Sequence, residues 1–304
     1  MHQCLIQIME YSECDKMNSP IHNTPETELC RLNVNGPVVR ITLDRPDVFN
    51  ALNVKLISEL IEILNWTSHR SVFSSGNLKD SEGNENFRVL VLEGEGKHFC
   101  AGADINMMRD AGAKSPEENR IDSERLDKLF NSLWSHPCFT IGVVQGVALG
   151  GGAGLIACLD HVIIEPKTRI ALSEGKLGIL PAVIGPYVYR RLGSAQFRRL
   201  AMLASRIRSE EALRIGMVDQ LEESPEAAAS AVDGVISEVL TTGPMAIGEA
   251  KKLALMFDRW NESDEALRLW TLDKTSEMRG SAEGQEGLAS FLEKRSANWK
   301  PNQE

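Results

Sequence analysis

The chain has 304 residues with a hydrophobic fraction of 42% and a charged fraction of 25%, as in an ordinary globular protein. Its formal net charge of -10 argues against a general affinity for nucleic acid, and no apolar run approaches the roughly 20 residues that a membrane-spanning helix needs. The six cysteines have neither CxxC nor metal-finger spacing, so we expect buried thiols and no bound metal.

Residues 1–26 are predicted to form a loosely ordered N-terminal extension. This segment contains Glu10, Glu13 and Asp15 but no arginine, whereas a mitochondrial transit peptide is rich in arginine and poor in acids. Its apolar run LIQIM is too short for the core of a secretory signal. We therefore expect a cytoplasmic protein.

The first half of the chain predicts strands, one helix and a polar insertion. Two β-rich runs, 29–33 and 38–43, flank a Gly-Pro turn and predict a hairpin. Residues 51–66 follow with leucines at helical spacing. Residues 67–86 are rich in Ser, Gly and Asn and predict a surface loop or a disordered insertion, whereas 89–92 is a continuous apolar run, typical of a strand buried on both faces.

Strands and helices continue to alternate in the middle of the chain, which is typical of an α/β fold with helical cover. Buried strands are predicted at 140–144, 162–164 and 170–172. A short helix of small residues is predicted at 153–159, and strand signals vanish from Ser194 onward. Helices are then predicted at 200–204, 209–215, 227–240, 244–257, 264–278 and 282–294. We divide the chain into a core, 27–230, and a helical C-terminal region, 231–304.

Three consecutive glycines, Gly150, Gly151 and Gly152, follow a predicted strand and precede the small-residue helix. Glycine lets backbone N–H groups approach a ligand without a Cβ in the way, and such donors stabilise a developing oxyanion. The motif has neither the Gly-Lys-Ser/Thr of a phosphate-binding loop nor the dinucleotide fingerprint. The alternative is a close helix–strand crossing that needs glycine only for packing.

A second run of small residues, Ala101, Gly102 and Ala103, follows the predicted strand at 89–92 and leads into Asp104. Two such turns can face one another at the carboxyl edge of a sheet, and two converging N–H groups are the minimum for an oxyanion hole. The alternative is an ordinary strand–helix turn in which Asp104 caps the helix.

Several motifs carry a family resemblance. They are GKHFCAGADINMM (96–108), GVALGGGAGLIACLD (146–160), RPDVFNAL (45–52), SEGKLG (173–178), and the segments 205–221 and 283–299. Together they resemble the crotonase, or enoyl-CoA hydratase/isomerase, superfamily over about 29–299. The resemblance implies an α/β fold with a crotonase-type ββα-spiral core and a helical trimerisation region. It also implies a homotrimer or dimer of trimers, an acyl-CoA substrate, and no cofactor beyond the coenzyme A of the substrate.

The resemblance also implies a set of site residues. It makes the N–H groups of Ala103 and Gly151 the oxyanion donors and Glu174 the catalytic carboxylate. It places substrate contacts at Val48, Phe49, Ala51, Ala101, Gly102, Ala103, Asp104, Ile105, Gly150 and Gly151. Burial beside the apolar run 177–184 is expected to raise the pKa of Glu174.

The hydratase pattern has two glutamates, and the first falls on Gly154, which cannot transfer a proton. One carboxylate can still act as base toward water or as acid toward the α-carbon. We therefore expect an enoyl-CoA hydratase, with two alternatives: a Δ3,Δ2-enoyl-CoA isomerase that uses Glu174 alone, or a polyketide-tailoring or non-catalytic homologue that binds acyl thioesters. The sequence leaves acyl length and the choice between coenzyme A and acyl carrier protein open.

Three further features bear on the substrate. The stretch 177–187 is apolar and is similar to bacterial hydratases that act on branched glutaconyl-CoA, of the methylglutaconyl type. Asp122 and Arg125 could bind a substrate carboxylate, but a solvated helix face is the preferred explanation. His98 beside the small-residue turn is expected to be a packing or surface residue.

Overall fold

The computed structural model describes residues 24–301, so most of the predicted N-terminal extension lies outside the described residues. The strands are β1 (Cys30–Asn35), β2 (Val38–Leu43), β3 (Val89–Gly94), β4 (Phe139–Val144), β5 (Val147–Leu149), β6 (His161–Ile164), β7 (Arg169–Ala171), β8 (Ile207–Arg208) and β9 (Gln220–Leu221). The helices are α1 (Val54–His69), α2 (Val72–Ser75), α3 (Ile105–Gly112), α4 (Pro116–Trp134), α5 (Gly151–Ala157), α6 (Gly185–Leu203), α7 (Ser209–Arg214), α8 (Pro225–Thr241), α9 (Pro244–Arg259), α10 (Asp264–Gly280) and α11 (Ala282–Glu293).

Two sheets organise this part of the chain. The larger has the order β1-β2-β3-β4-β6-β9, in which β1 and β2 form an antiparallel hairpin and every later neighbour pairs in parallel. The smaller has the order β5-β7-β8, with β5 parallel to β7. Parallel neighbours need long crossovers, and the helices between the strands supply them. The carboxyl ends of β3 and β4 therefore lie at the same edge of the larger sheet.

The larger sheet is buried on both faces. On β2, Val39 and Ile41 join the main core with the apolar face of α1, whereas Val38 joins a second core under α8. Side chains on a strand point alternately to opposite faces, so one short strand contributes to both cores. The continuous apolar character of 89–92 has the same cause.

The polar insertion is a surface loop over 76–86, as predicted, but its first part is helical. The helix α1 extends into it as far as His69, and α2 follows. Arg70 pairs with Asp80 at 3.0 Å and lies over the Phe87 ring at 4.9 Å. Phe73 packs so closely on α9 that a Cβ at Gly248 would lie 2.6 Å from its Cγ. The insertion therefore connects the core to the helical region.

Other boundaries differ from the prediction as well, and the helix predicted at 200–204 begins as early as Gly185. The first helix begins at Val54 rather than at residue 51 because the Asn53 side chain accepts a hydrogen bond from the Leu56 N–H at 2.8 Å and caps it. The division at residue 230 falls inside α8, whose residues Val232 and Val239 complete the second core. The two-residue strands β8 and β9 carry too little periodicity to be found from the sequence.

Candidate active site

The two small-residue turns lie side by side. Cys100 pairs with Ala148 as an isolated parallel bridge, through bonds from the Cys100 N–H to Val147 (3.1 Å) and from the Leu149 N–H back to Cys100 (3.0 Å). A Cβ on Gly102 would lie 3.4 Å from the Gly151 nitrogen, and one on Gly151 would lie 3.5 Å from the Ala103 nitrogen. The bridge therefore brings the two predicted donor segments together.

The N–H groups of Ala103 and Gly151 donate to no acceptor within residues 24–301. Leu52 bonds to both neighbours of Ala103: its N–H donates to Gly102 (2.8 Å) and its carbonyl accepts from Asp104 (2.9 Å). In a parallel bridge this pattern turns the intervening N–H away from the partner strand. Gly151 is the first residue of α5, where an N–H has no intrahelical acceptor. Two adjacent unpaired donors can stabilise a developing oxyanion.

Glycine is required here for packing as well. Gly102 has a φ of 98°, and a Cβ on it would lie 2.6 Å from the Leu149 carbonyl oxygen. A Cβ on Gly152 would lie 3.1 Å from the Cys100 carbonyl carbon. Both explanations of the glycines therefore hold. The close crossing needs glycine for packing, and the same crossing places the two N–H groups together.

Glu174 lies on the 3-10 turn Ser173–Leu177, directly after β7. Its Oε1 is 3.1 Å from the position of a Cβ on Gly150. Its Oε2 is buried and has no hydrogen-bond partner in the described part of the chain. Burial raises the pKa of this carboxyl, and a backbone hydrogen bond only partly opposes the shift. A buried carboxylate with one free oxygen, next to two unpaired N–H groups, is equipped to accept and return a proton.

The apolar run after Glu174 is largely exposed. Leu177 and Leu180 expose 54% and 80% of their surface, and Ile179 is exposed as well. Pro181 is buried, and Ile184 at the end of the run is 4% exposed. The pKa of Glu174 is raised as expected, and its carboxylate lies against the glycine turn at residue 150.

Gly154 lies one helical turn after Gly151 and is fully enclosed. A Cβ on it would lie 2.9 Å from the Cβ of Ile184 and 3.0 Å from Cε1 of Phe130. Phe130 in turn packs on Tyr187, with ring centroids 6.2 Å apart. The space that a carboxylate at this position would need is filled by apolar side chains.

The turn at 45–52 is held against the first donor segment by a residue that sequence reasoning missed. Asn50 is fully buried, donates to the carbonyls of Glu95 (3.0 Å) and His98 (2.8 Å), and accepts from the Arg45 N–H (2.8 Å). Phe49 accepts from the Ala101 N–H at 2.9 Å. Asn50 has a φ of 56°, which Asn tolerates better than most residues, and this preference is the signal in the sequence.

The predicted substrate contacts in these two segments are only partly enclosed. Val48, Phe49 and Ile105 expose 43%, 52% and 67% of their surface, so they can meet a ligand that lies along the edge of the site. Ala51 and Ala101 are half-buried. Asp104 caps α3, because its carboxylate accepts from the Asn106 N–H at 3.0 Å.

The remaining candidates lie in structural contacts. Asp122 accepts from Lys114 (2.6 Å) and from Arg125 (3.0 Å), so the helix-face interpretation accounts for this group. His98 is half-buried and meets the edge of the Phe49 ring at 4.8 Å, and burial lowers its pKa. Within residues 24–301, no group of three His, Cys, Asp or Glu side chains could hold a metal ion, and no helix is both long and apolar enough to cross a bilayer.

Comparisons with known proteins identify the family of this chain. The sequence profile of the enoyl-CoA hydratase/isomerase family matches residues 33–302. Among curated relatives, the short-chain-enoyl-CoA hydratase of Clostridium acetobutylicum is 27% identical, covering 86% of this chain and 93% of that protein. The 1,2-epoxyphenylacetyl-CoA isomerase of Escherichia coli is 29% identical, covering 85% and 93%.

Solved structures agree as well. Pseudomonas aeruginosa AtuE is 34% identical with a TM-score of 0.80 and covers 90% of this chain and 100% of its own. An enoyl-CoA hydratase from Shewanella pealeana is 33% identical with a TM-score of 0.80 and covers 90% and 97%. With its crotonase-type α/β fold, the chain therefore belongs to the enoyl-CoA hydratase/isomerase family.

Proposed function

We propose that this protein is an acyl-CoA isomerase that moves a double bond from the Δ3 to the Δ2 position, with Glu174 as its one proton carrier. The observation that carries the proposal is the pairing of a buried carboxylate at Glu174 with an apolar filling at Gly154. A 1,3-proton shift requires a single group that takes a proton at one carbon and returns it at another.

The reaction follows from the groups of the site. The thioester oxygen accepts hydrogen bonds from the N–H groups of Ala103 and Gly151. The Glu174 carboxylate removes a proton from the α-carbon, and the electron pair of the broken C–H bond forms a dienolate whose charge rests on that oxygen. The protonated Glu174 then gives the proton to the γ-carbon, and the double bond lies between the α- and β-carbons. Substrate and product have the same composition, so no redox partner is required.

Hydration, which the sequence favoured, is the second candidate. It requires a bound water as well as a proton donor or acceptor, and the apolar contact of Ile184 and Phe130 at Gly154 offers water no partner on that side. Two observations favour hydration. Glu174 Oε2 has no hydrogen-bond partner in the described part of the chain and could hold a water molecule, and several relatives are named enoyl-CoA hydratases. The structure therefore supports isomerisation first and hydration by a single carboxylate second.

A glutaconyl-type substrate is less well supported than a hydrocarbon acyl group. Such a substrate has a second carboxylate, which would need a cation. Arg125, the cation that the sequence suggested, already donates to Asp122 at 3.0 Å. Moving it to a ligand would break that pair.

The test measures both reactions on purified full-length protein. A 3-enoyl-CoA, a linear 2-enoyl-CoA and a branched 2-enoyl-CoA are incubated separately, and products are resolved by chromatography and mass. We expect double-bond migration with the 3-enoyl-CoA and its loss in Glu174→Gln. Glu165→Gln is the matched control, because Glu165 is also a partly buried glutamate whose pKa is raised by burial and by Glu226.

Each other outcome selects a different function. Addition of water without migration would establish the hydratase. Tight acyl-CoA binding without turnover, equal in wild type and Glu174→Gln, would establish a non-catalytic thioester-binding protein. Equal loss of activity in both glutamate variants would contradict a special role for Glu174.

We also propose that the protein assembles as a trimer or a dimer of trimers through its helical region. On α11, Leu288, Phe291 and Leu292 expose 51%, 82% and 78% of their surface along one helix face. Light scattering should give a mass of three or six copies of the 33.6 kDa chain, and Phe291→Glu should lower it. A monomer at micromolar concentration in wild type would contradict this part of the proposal.

A further inference from the structure

Ile184 occupies an unusual place for a core side chain. It directly precedes α6 and is 4% exposed, and its Cβ lies 2.9 Å from where a Cβ on Gly154 would be. Phe130 closes the same space from α4, with Cε1 at 3.0 Å. No side chain of α5 fills this space. Ile184, which lies about 30 residues further along the chain, fills it together with Phe130.

The direction in which a side chain at Gly154 would point relates this space to Glu174. In an α-helix, each Cα–Cβ bond tilts toward the N-terminus of the helix. The position of a side chain at Gly154 therefore lies over the first turn of α5, where Gly150 meets Glu174 and Gly151 presents its N–H. Because the Ile184 side chain overlaps that position, it lies beside the turn where Gly150 approaches Glu174.

Aromatic side chains continue behind Phe130. Tyr187 packs on Phe130 with ring centroids 6.2 Å apart, and Trp134 meets Tyr187 edge-on at 5.4 Å. Arg190 and Arg259 lie over the Trp134 ring at 4.9 Å and 5.1 Å. The side chains that back this space are therefore bulky and aromatic.

We infer that Ile184 is the specificity-determining residue of this site: its side chain limits the size of the substituent on the acyl carbons next to Glu174 and selects unbranched acyl groups. The inference rests on the proposed function, since it assumes that an acyl-CoA lies between the donor turns and Glu174. A pocket that must enclose one extra methyl group discriminates by roughly 10–200-fold.

The experiment compares a linear and a branched substrate that differ by one methyl group: 3-pentenoyl-CoA and 4-methyl-3-pentenoyl-CoA. The value of kcat/KM is measured for wild type, Ile184→Ala and Ile184→Val. We expect Ile184→Ala to raise the branched-to-linear ratio about 10-fold or more, and Ile184→Val to raise it by less. Ile163→Ala is the matched control, because Ile163 is fully buried in the second core, under α8.

A parallel measurement does not depend on turnover. Calorimetric binding of pentanoyl-CoA and 4-methylpentanoyl-CoA should show the same change of preference in Ile184→Ala but not in Ile163→Ala. If wild type isomerises the linear substrate while Ile184→Ala and Ile184→Val leave both ratios unchanged, the role of Ile184 is wrong and the proposed function stands. If wild type isomerises nothing but the binding preference shifts, the proposed function is wrong and Ile184 still sets acyl specificity.

Discussion

The two donor turns, 101–103 and 150–152, differ from the helical region α8–α11 in how their residues are packed. The turns contain small, mostly buried residues whose main chains touch, so that one added methyl group would overlap a neighbouring backbone. In α10, by contrast, no residue is buried, and apolar side chains of α11 are up to 82% exposed. The proposed chemistry depends on the spacing of two main chains, whereas the helical region is held by side-chain contacts.

One buried cation joins these regions. Arg88 directly precedes β3, is 6% exposed, and donates to the carbonyls of Trp299 (2.8 Å) and Thr242 (2.6 Å) in the helical region. Burial lowers its pKa, and three donated bonds to carbonyls, including one to Val239, compensate the lost hydration. Variants near the donor turns are therefore expected to change catalysis, whereas variants in or against the helical region are expected to change only stability.

The largest effect is expected at Glu174. Glu174→Gln keeps the shape of the side chain but removes the group that carries the proton, so kcat should fall by about 10²- to 10⁴-fold. Wild-type kcat/KM should fall on acidification at a higher pH than an ordinary glutamate of pKa 4.5 would give, because burial raises the pKa of the proposed base. A pH–rate profile without that loss would contradict the assignment.

The same substitution should stabilise the fold at neutral pH. The folded-state pKa of Glu174 is raised above the unfolded value, so the folded protein binds the proton more tightly. Above the folded-state pKa the buried charge therefore destabilises the protein, and below the unfolded value this cost is absent. Urea denaturation should give Glu174→Gln a higher unfolding free energy than wild type at pH 7 and no difference near pH 3.

Gly102→Ala should come next in effect on activity. Its Cβ would push against the Leu149 carbonyl at 2.6 Å and displace the donor turns, and one oxyanion donor contributes roughly 2.7–4 kcal/mol. We expect kcat to fall by about 10²- to 10³-fold. Gly216→Ala is the control, because Gly216 also has a positive φ (80°) but nothing within 4 Å of its Cβ position. Equal kcat in the two variants would show that backbone strain alone accounts for the loss.

Arg88→Gln should separate stability from catalysis. Three carbonyls lose their donor, and a buried unsatisfied polar group costs about 1–3 kcal/mol, so a total loss of about 3 kcal/mol in unfolding free energy is reasonable. The kcat of the folded fraction should not change. Arg40→Gln, a more exposed arginine on β2 with ion-pair distances of 3.5 and 3.6 Å, should lose far less. A drop in kcat for Arg88→Gln would show that the helical region shapes the site directly.

The smallest effect is expected within α8. Gly234 lies inside this helix with nothing within 4 Å of its Cβ position, so Gly234→Ala should raise stability by about 1 kcal/mol through helix propensity. Thermal denaturation checks this, with kcat as the second measurement. Destabilisation here would mean that the helical region is packed as tightly as the donor turns.

Much of the site could be predicted from the sequence because its signals are local. A buried strand followed by small residues predicts a turn with accessible N–H groups, and this pattern occurs at both 101–103 and 150–152. The rise in the pKa of Glu174 was expected from its burial. The roles of Ala103, Gly151 and Glu174 in catalysis stay predictions that the variants above test.

Other features could not be predicted because they depend on residues far apart in the chain. The sequence contains a glycine at residue 154 but does not say that Ile184 and Phe130 fill its space. Residues 67–86 are predicted to be a loop from their composition. The prediction misses the helical first part, because the contacts of Phe73 with Gly248 and of Arg70 with Asp80 are not visible in the sequence. Asn50 carries only a weak turn signal until its amide meets two carbonyls more than 40 residues away.

By itself, the sequence determined the alternation of strands and helices, the two glycine-rich turns and the single carboxylate, since each is encoded by neighbouring residues. The tertiary structure alone decided that the Ala103 and Gly151 N–H groups, which have no acceptor within residues 24–301, lie close together. It also decided that the Glu174 carboxylate lies against Gly150 and that an isoleucine stands where a second carboxylate could have been. The physical reason is that shape and burial arise when distant segments exclude water from one another, and no local pattern specifies which side chain fills the remaining space.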